Sequence, residues 1–217
     1  MRTHLFPSGS ELVAACHDIG KVSPTFYEKI RQACSAGIDG WPMLSASPAL
    51  ETQWGGHAGT SQVAARAMDV PDRIPEILGM HHGFSPPVAG KRATDELFGG
   101  TAWQAEREAL VHHLKIVLEA DWPQLASAAQ ARVVAGLMSV ADWIGSGKFF
   151  EDPNLAWENR IEQAVTDAGF IVPLFRQGLD FEEIFGFSPR PAQATFIRQV
   201  TQSGVHVLEA PMGLGKT

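Results

Sequence analysis

Histidine and aspartate recur along this chain in four ordered elements: His17-Asp18, His57, His81-His82 and Asp142. A fold that uses them together must gather positions far apart in sequence into one pocket, which restricts the chain to several packed elements around a shared site. Each element is weak alone. A His-Asp pair is usually accidental, and a single His57 suits a loop or a surface. Adjacent histidines on a helix point about 100° apart, so His81 and His82 serve one centre only where a helix ends; Gly83 follows at once and supplies that end. Asp142, within an apolar helical pattern, is by itself more often a capped or solvated acid than a ligand.

Together they make chemical sense. Imidazole and carboxylate are the borderline ligands preferred by manganese, iron, cobalt, nickel and zinc. One aspartate can bridge two cations through its two oxygens, while each histidine completes one coordination sphere. Two divalent cations a few ångströms apart activate a water and hold a scissile phosphate. A further pair, His112-His113, serves as an internal control. It sits mid-helix with no glycine to end the helix and no adjacent aspartate, so it reads as one exposed ring and one partly buried ring, outside the site. His206, in the apolar run Val205–Leu208, reads as structural.

Helical patterning dominates the chain. Ser8-Gly9-Ser10-Glu11 offers a capping box for the segment Leu12 to Cys16, and Ser23-Pro24 opens a helix over Thr25 to Ala33. Residues Ser35 to Gly56, rich in proline, glycine and serine, read as an irregular loop. Helical spacing resumes at Ser61–Met68, Pro75–Met80, Gln104–Ala120, Ala128–Ile144 and Leu155–Ala168. A second loop, Gly83 to Thr101, carries Lys91 and Arg92. Past Pro173 the style changes: a connector holds the short amphipathic piece Phe181 to Phe185, a helix spans Ala192 to Thr201, and Val205–Leu208 reads as a short strand.

Hydrophobic residues make up 45% and charged residues 19% of the 217, enough for a sizeable core. No apolar run reaches the roughly 18 residues of a membrane span, and no signal pattern opens the chain. Cys16 and Cys34 form neither a C-x-x-C pair nor a disulfide framework, which favours a reducing cytoplasm. The net charge of −7 excludes binding of nucleic acid by a broadly basic surface; a local patch or bound cations would be needed.

The segments Cys16-His17-Asp18-Ile19-Gly20-Lys21, Gly56-His57, Met80-His81-His82-Gly83 and Ala141-Asp142-Trp143-Ile144-Gly145-Ser146 resemble the HD nuclease domain of the helicase–nuclease of type I CRISPR interference. The resemblance implies a helical bundle that holds two transition-metal ions and cuts single-stranded DNA. It implies that Asp18 bridges the ions, that His17 and Asp142 serve the first, and that His57, His81 and His82 serve the second. Lys21 would meet a DNA phosphate, and Ser146 would support the substrate or the site's hydrogen bonds. The family also carries a histidine on an earlier helix; here only His4 lies upstream, so that ligand is either His4 or absent.

The last residues add a second motif. Ala210, Gly213, Gly215, Lys216 and Thr217 fit the pattern in which backbone N–H groups cradle phosphates, lysine reaches the β- and γ-phosphates and a hydroxyl meets Mg²⁺. With alanine in first position it resembles superfamily 2 helicases, and Phe187, Arg190, Pro191 and Gln193 resemble their adenine-reading element. The expected organisation is therefore an HD domain over 1–173, a connector over 174–190, and over 191–217 the truncated start of a RecA-like α/β helicase domain that would bind ATP and Mg²⁺ when complete. The expected function is metal-dependent cleavage of single-stranded DNA, normally coupled to the helicase and partnered by a Cascade-type surveillance complex, with no membrane involved. Two alternatives stand beside it: a phosphohydrolase acting on nucleotides, and a non-catalytic recruitment domain with a vestigial metal site.

Overall fold

The helix at the centre of the fold is made of small residues. In this computed structural model, which describes residues 6–34, 40, 48–152, 154–172, 174, 176–202, 204–209, 211 and 213, α3 runs Gly56–Arg66 and buries its residues Ala58 through Ala65 on every side. Small side chains permit that surround, because neighbouring backbones approach to where a Cβ would sit. At Gly59 an added Cβ would lie 1.7 Å from the carbonyl oxygen of Trp54. A helix buried all round shows no amphipathic stripe, and its first turn, Gly56-His57-Ala58-Gly59-Thr60, reads locally as loop. The expected start at Ser61 is thus corrected to Gly56, which moves His57 from a loop onto a helix.

Six other helices accompany it among the described residues of 1–169. They are α1 (Ser10–Cys16), α2 (Pro24–Ala33), α4 (Ile74–Gly79), α5 (Gly100–Leu118), α6 (Ala128–Gly145) and α7 (Ile161–Asp167), with short 3-10 turns at Ile19–Lys21, Pro48–Trp54, Glu96–Phe98 and Glu158–Arg160. Helix α4 lies close on α3, since a Cβ on Gly79 would fall within 2.4 Å of the Gln62 side chain. Helix α1 packs between α5 and α6. The main core joins Leu12, Val13 and Ile19 to Ile74, Leu78, Val111, Val134 and Met138, each such side chain stabilising the fold by roughly 1.5–3 kcal/mol. A second cluster of Trp54, Val63, Val88, Ala93 and Phe98 lies beneath the 83–99 loop.

Caps follow local chemistry. Ser23 accepts from the Phe26 N–H at 3.2 Å and Pro24 occupies the first helical position, as the sequence suggests. At α1 the expected capping box on Ser8 is replaced. Gly9 is the cap in a left-handed conformation, its N–H donating to Glu11 at 3.1 Å, because the carbonyl of Asp121 lies 2.0 Å from where its Cβ would stand.

Residues 170–217 form a separate compact unit. It contains α8 (Phe181–Phe185), closed by the reciprocal Asp180–Glu183 capping box, and α9 (Pro191–Gln199). No strand forms among the described residues, so the α/β character expected here is not seen. Val205–Leu208 has the composition of a strand but no neighbouring strand to pair with its N–H and C=O groups. The architecture is mainly helical.

Candidate metal centre

Helix α1 ends at Cys16, and the chain turns through His17 and Asp18 into the Ile19–Lys21 turn. The Cys16 thiol belongs to the core rather than the site; burial pushes its pKa up to about 12. Ser61 of α3 locks the turn, accepting the Gly20 N–H at 2.9 Å and donating to the His17 carbonyl at 2.7 Å. Gly20 permits this approach. A Cβ there would stand 2.0 Å from the His57 carbonyl and 2.6 Å from the Ser61 nitrogen, both backbone atoms that cannot swing aside. Gly20→Ala is therefore expected to lower the melting temperature by about 2–12 °C, from overpacking of roughly 1–3 kcal/mol at about 2–4 °C per kcal/mol. A melting temperature within about 1 °C of the parent would show that the turn can shift freely.

Three further elements converge on that turn. Helix α3 supplies His57 from its first turn. Helix α4 stops at Gly79, leaving His81 and His82 in the turn that Gly83 closes with φ +86°. The Nε2 atoms of His81 and His82 lie 3.2 and 3.0 Å from Nε2 of His57. Helix α6 brings Asp142, whose Oδ1 is 3.3 Å from His17 Nε2. Ser146, one turn on, donates to the Asp142 carbonyl at 2.5 Å and to its carboxylate at 3.1 Å.

Asp18 stands between the two groups. Its Oδ1 faces His57 and His81 at 3.2 and 3.7 Å, while Oδ2 faces His17 at 3.1 Å and the Lys21 ammonium at 2.5 Å. Burial would raise its pKa, but the contacts with His17, His57 and Lys21 hold it well below the usual carboxylate range. His81 donates from Nδ1 to the Leu78 carbonyl at 2.7 Å. Burial, reinforced by the neighbouring imidazoles, brings its pKa down to about 4 despite that bond. His81 is thus a neutral ring with its Nε2 lone pair aimed at the cluster, the state a metal ligand needs. Burial likewise lowers His82.

His17 shows the fit to a cation most clearly. Its Nδ1 is committed to the Ala14 carbonyl at 2.7 Å. Its Nε2 is buried with no well-directed hydrogen bond among the described residues, although the Asp18 and Asp142 carboxylates stand 3.1 and 3.3 Å away. Burial opposes charge there, yet proximity to Asp18, the Ala14 bond and the Asp142 charge together raise its pKa. An imidazole nitrogen and two carboxylate oxygens sharing one space call for a positive charge among them. The donor atoms form two sets able to hold a cation, His17 with Asp18 and Asp142, and His57 with His81 and His82, the atoms of each within 4.8 Å of one another. All nitrogen and oxygen, they suit divalent transition metals.

The structure thus brings together His17, Asp18, Lys21, His57, His81, His82, Asp142 and Ser146. His112 and His113 stay on α5, and both are exposed, a correction to the expectation that one is partly buried. Arg92 pairs with Asp95 at 3.3 Å. His206 is exposed and bonds the Gln202 carbonyl. In the second unit, Gln193 caps α9 by accepting the Arg190 N–H at 2.9 Å, and Arg190 donates to the Gly213 carbonyl at 2.7 Å. His4, Gly215, Lys216 and Thr217 lie outside the described residues. Sequence reasoning missed Ser61 and the space it requires at Gly20; the only trace was the run of small residues after His57.

A helical bundle whose His-Asp turn, paired histidines and distal aspartate offer two adjoining cation sites defines the class of HD domains, which bind divalent metals. The family described as "Cas3, HD domain" matches residues 10–150, and the chain belongs to it. It is similar to the CRISPR-associated nuclease/helicase Cas3 of Streptococcus thermophilus, 26% identical over 257 aligned residues, covering 96% of this chain and 27% of that protein. It is also similar to the CRISPR-associated endonuclease/helicase Cas3 of Thermus thermophilus, 25% identical, covering 93% of this chain and 25% of that protein. The chain therefore spans about a quarter of the length of these relatives. No solved structure matches.

Proposed function

We propose that this centre hydrolyses phosphodiester bonds in single-stranded DNA, as part of CRISPR interference. The observation that carries the reading is the position of Asp18, one carboxylate oxygen toward each of two His/Asp groups. Divalent cations, when bound, supply an activated water and a grip on the scissile phosphate. His17, Asp18 and Asp142 would hold one, and His57, His81 and His82, sharing Asp18, the other. Ser146 fixes the Asp142 carboxylate by its hydrogen bond. Lys21, whose ammonium now neutralises Asp18, would turn to a phosphate oxygen once cations take over that role. A phosphate is common to every nucleotide, so this chemistry reads no base, and a stiff duplex would not reach the pocket floor.

The names of both relatives join a nuclease to a helicase and to CRISPR. They support a longer protein in which ATP and Mg²⁺ drive a helicase that feeds strand to this domain, with Gln193, Gly213, Gly215, Lys216 and Thr217 in its nucleotide site, recruited by a Cascade-type complex in the cytoplasm. No helix among the described residues is long and apolar enough to cross a membrane.

The test compares end-labelled single strand, duplex and a free dinucleotide under one Mn²⁺ concentration, with metal content measured in parallel. The single strand is expected to be cut, the duplex at least about 10-fold more slowly, and chelation to stop both until Mn²⁺, Co²⁺ or Ni²⁺ is restored. Ready hydrolysis of the dinucleotide with survival of the single strand would replace the nuclease by a phosphohydrolase.

A further inference from the structure

Beside the metal centre lies an open cleft of about 480 Å³, within the usual range of about 300–1,000 Å³ for a small-molecule site. His57 and His82 line it, so anything held there adjoins the candidate cation sites. Phe84 and Pro87 form one wall. Phe84 is 50% exposed and belongs to neither hydrophobic cluster, although only Gly83 separates it from the histidine pair. An aromatic ring left in water at that point has apolar area still to cover.

The floor is Gly55-Gly56, both left-handed, with φ +78° and +68°. A Cβ on Gly55 would meet Pro86 at 2.9 Å, so Pro86 packs directly on the backbone there, and neither glycine offers a side chain to the cleft. The far end is electrically closed. The Lys29 ammonium pairs with the buried Glu51 carboxylate, which also receives the Thr25 hydroxyl at 3.5 Å. That end neither attracts nor repels a phosphate strongly, whereas the side by His57 and His82 is where a phosphate would be gripped.

From this arrangement we infer that the cleft holds the base of the nucleotide adjoining the scissile phosphate, stacked on Phe84 and backed by Pro87. The inference rests on the single-strand reading and adds to it a base subsite. An apolar wall has no donor or acceptor to read a base edge, so the subsite tolerates any base, as stacking platforms for single strands do. A paired base could not enter, since its partner would occupy the cleft mouth; the subsite therefore favours single strand independently of access to the metals.

Fluorescence anisotropy of this chain without added metal, so that nothing is cut, tests the assignment with labelled oligothymidine and an abasic strand of equal length. The parent is expected to bind oligothymidine more tightly. Phe84→Ala should weaken oligothymidine binding about 5- to 150-fold, the range for loss of one stacked base, and bring it toward the abasic value. Phe84→Trp should restore the difference, which a merely structural role for the ring would not produce. Oligothymidine binding by Phe84→Ala equal to the parent's would overturn the base subsite while leaving the nuclease reading in place. A parent that binds neither strand yet hydrolyses bis(p-nitrophenyl) phosphate in Mn²⁺ would overturn the single-strand reading and the subsite with it.

Discussion

Asp18→Ala is expected to reduce single-strand cleavage about 1,000-fold or more, because cation stabilisation of the transition state amounts to several kcal/mol and each 1.4 kcal/mol is tenfold. The position of the carboxylate explains the size. Oδ1 faces His57 and His81 while Oδ2 faces His17, so on the proposed reading one truncation removes a donor from each candidate cation site. His57→Ala removes one imidazole and leaves His81 and His82 converging, with Asp18 and the whole first group intact. Its expected loss is smaller, about 10- to 100-fold, and high Mn²⁺ should recover part of it by mass action. Metal analysis separates the two variants without reference to catalysis: Asp18→Ala should lose both ions and His57→Ala one. Equal and mild losses in both variants would mean that Asp18 does not bridge.

The candidate ligands could be singled out in the sequence because their chemistry travels with residue type, and the structure brings them together. Histidine beside aspartate and a histidine pair stopped by glycine gain meaning only in combination, and the helical spacing around Asp142 placed it on a helix. What was not legible depends on neighbours distant in the chain. Ser61 acts on Gly20 across 41 residues, and nothing near either one announces the contact. The early start of α3 was hidden because glycine and alanine read as loop, whereas here they answer to the carbonyl of Trp54 pressing on Gly59. Val205–Leu208 erred in the opposite direction: strand composition is local, but a strand requires a partner. Phe84 was visible only as a loop residue, and its importance comes from standing exposed at the edge of the metal centre.

Arg107→Ala is expected to destabilise the domain by about 4 kcal/mol, near the upper end for single substitutions. The guanidinium is fully buried on α5, with no carboxylate bonded to it among the described residues. Its Nη1 donates to the Val22 carbonyl at 2.8 Å and the Phe98 carbonyl at 3.0 Å, its Nη2 to Ala93 at 3.3 Å, and its Nε to the Gln104 side chain at 3.1 Å. Burial lowers its pKa to about 10, so it remains charged at neutral pH, and the ring of carbonyls stands in for water. Removing it leaves three carbonyls and an amide unpaired at about 1–3 kcal/mol each, less whatever entering water recovers. Val22 closes the turn that carries His17 and Asp18, so the same fork ties α5 to the metal centre, and Gln104 extends it to the Ala64 carbonyl of α3. With about 2–4 °C per kcal/mol for a chain of this size, the melting temperature should fall by roughly 8–16 °C. Arg107→Lys should recover only part of that fall, because one ammonium cannot span Val22, Phe98 and Ala93 together. A lysine variant as stable as the parent would show that charge alone, rather than the planar fork, holds the turn against the helix.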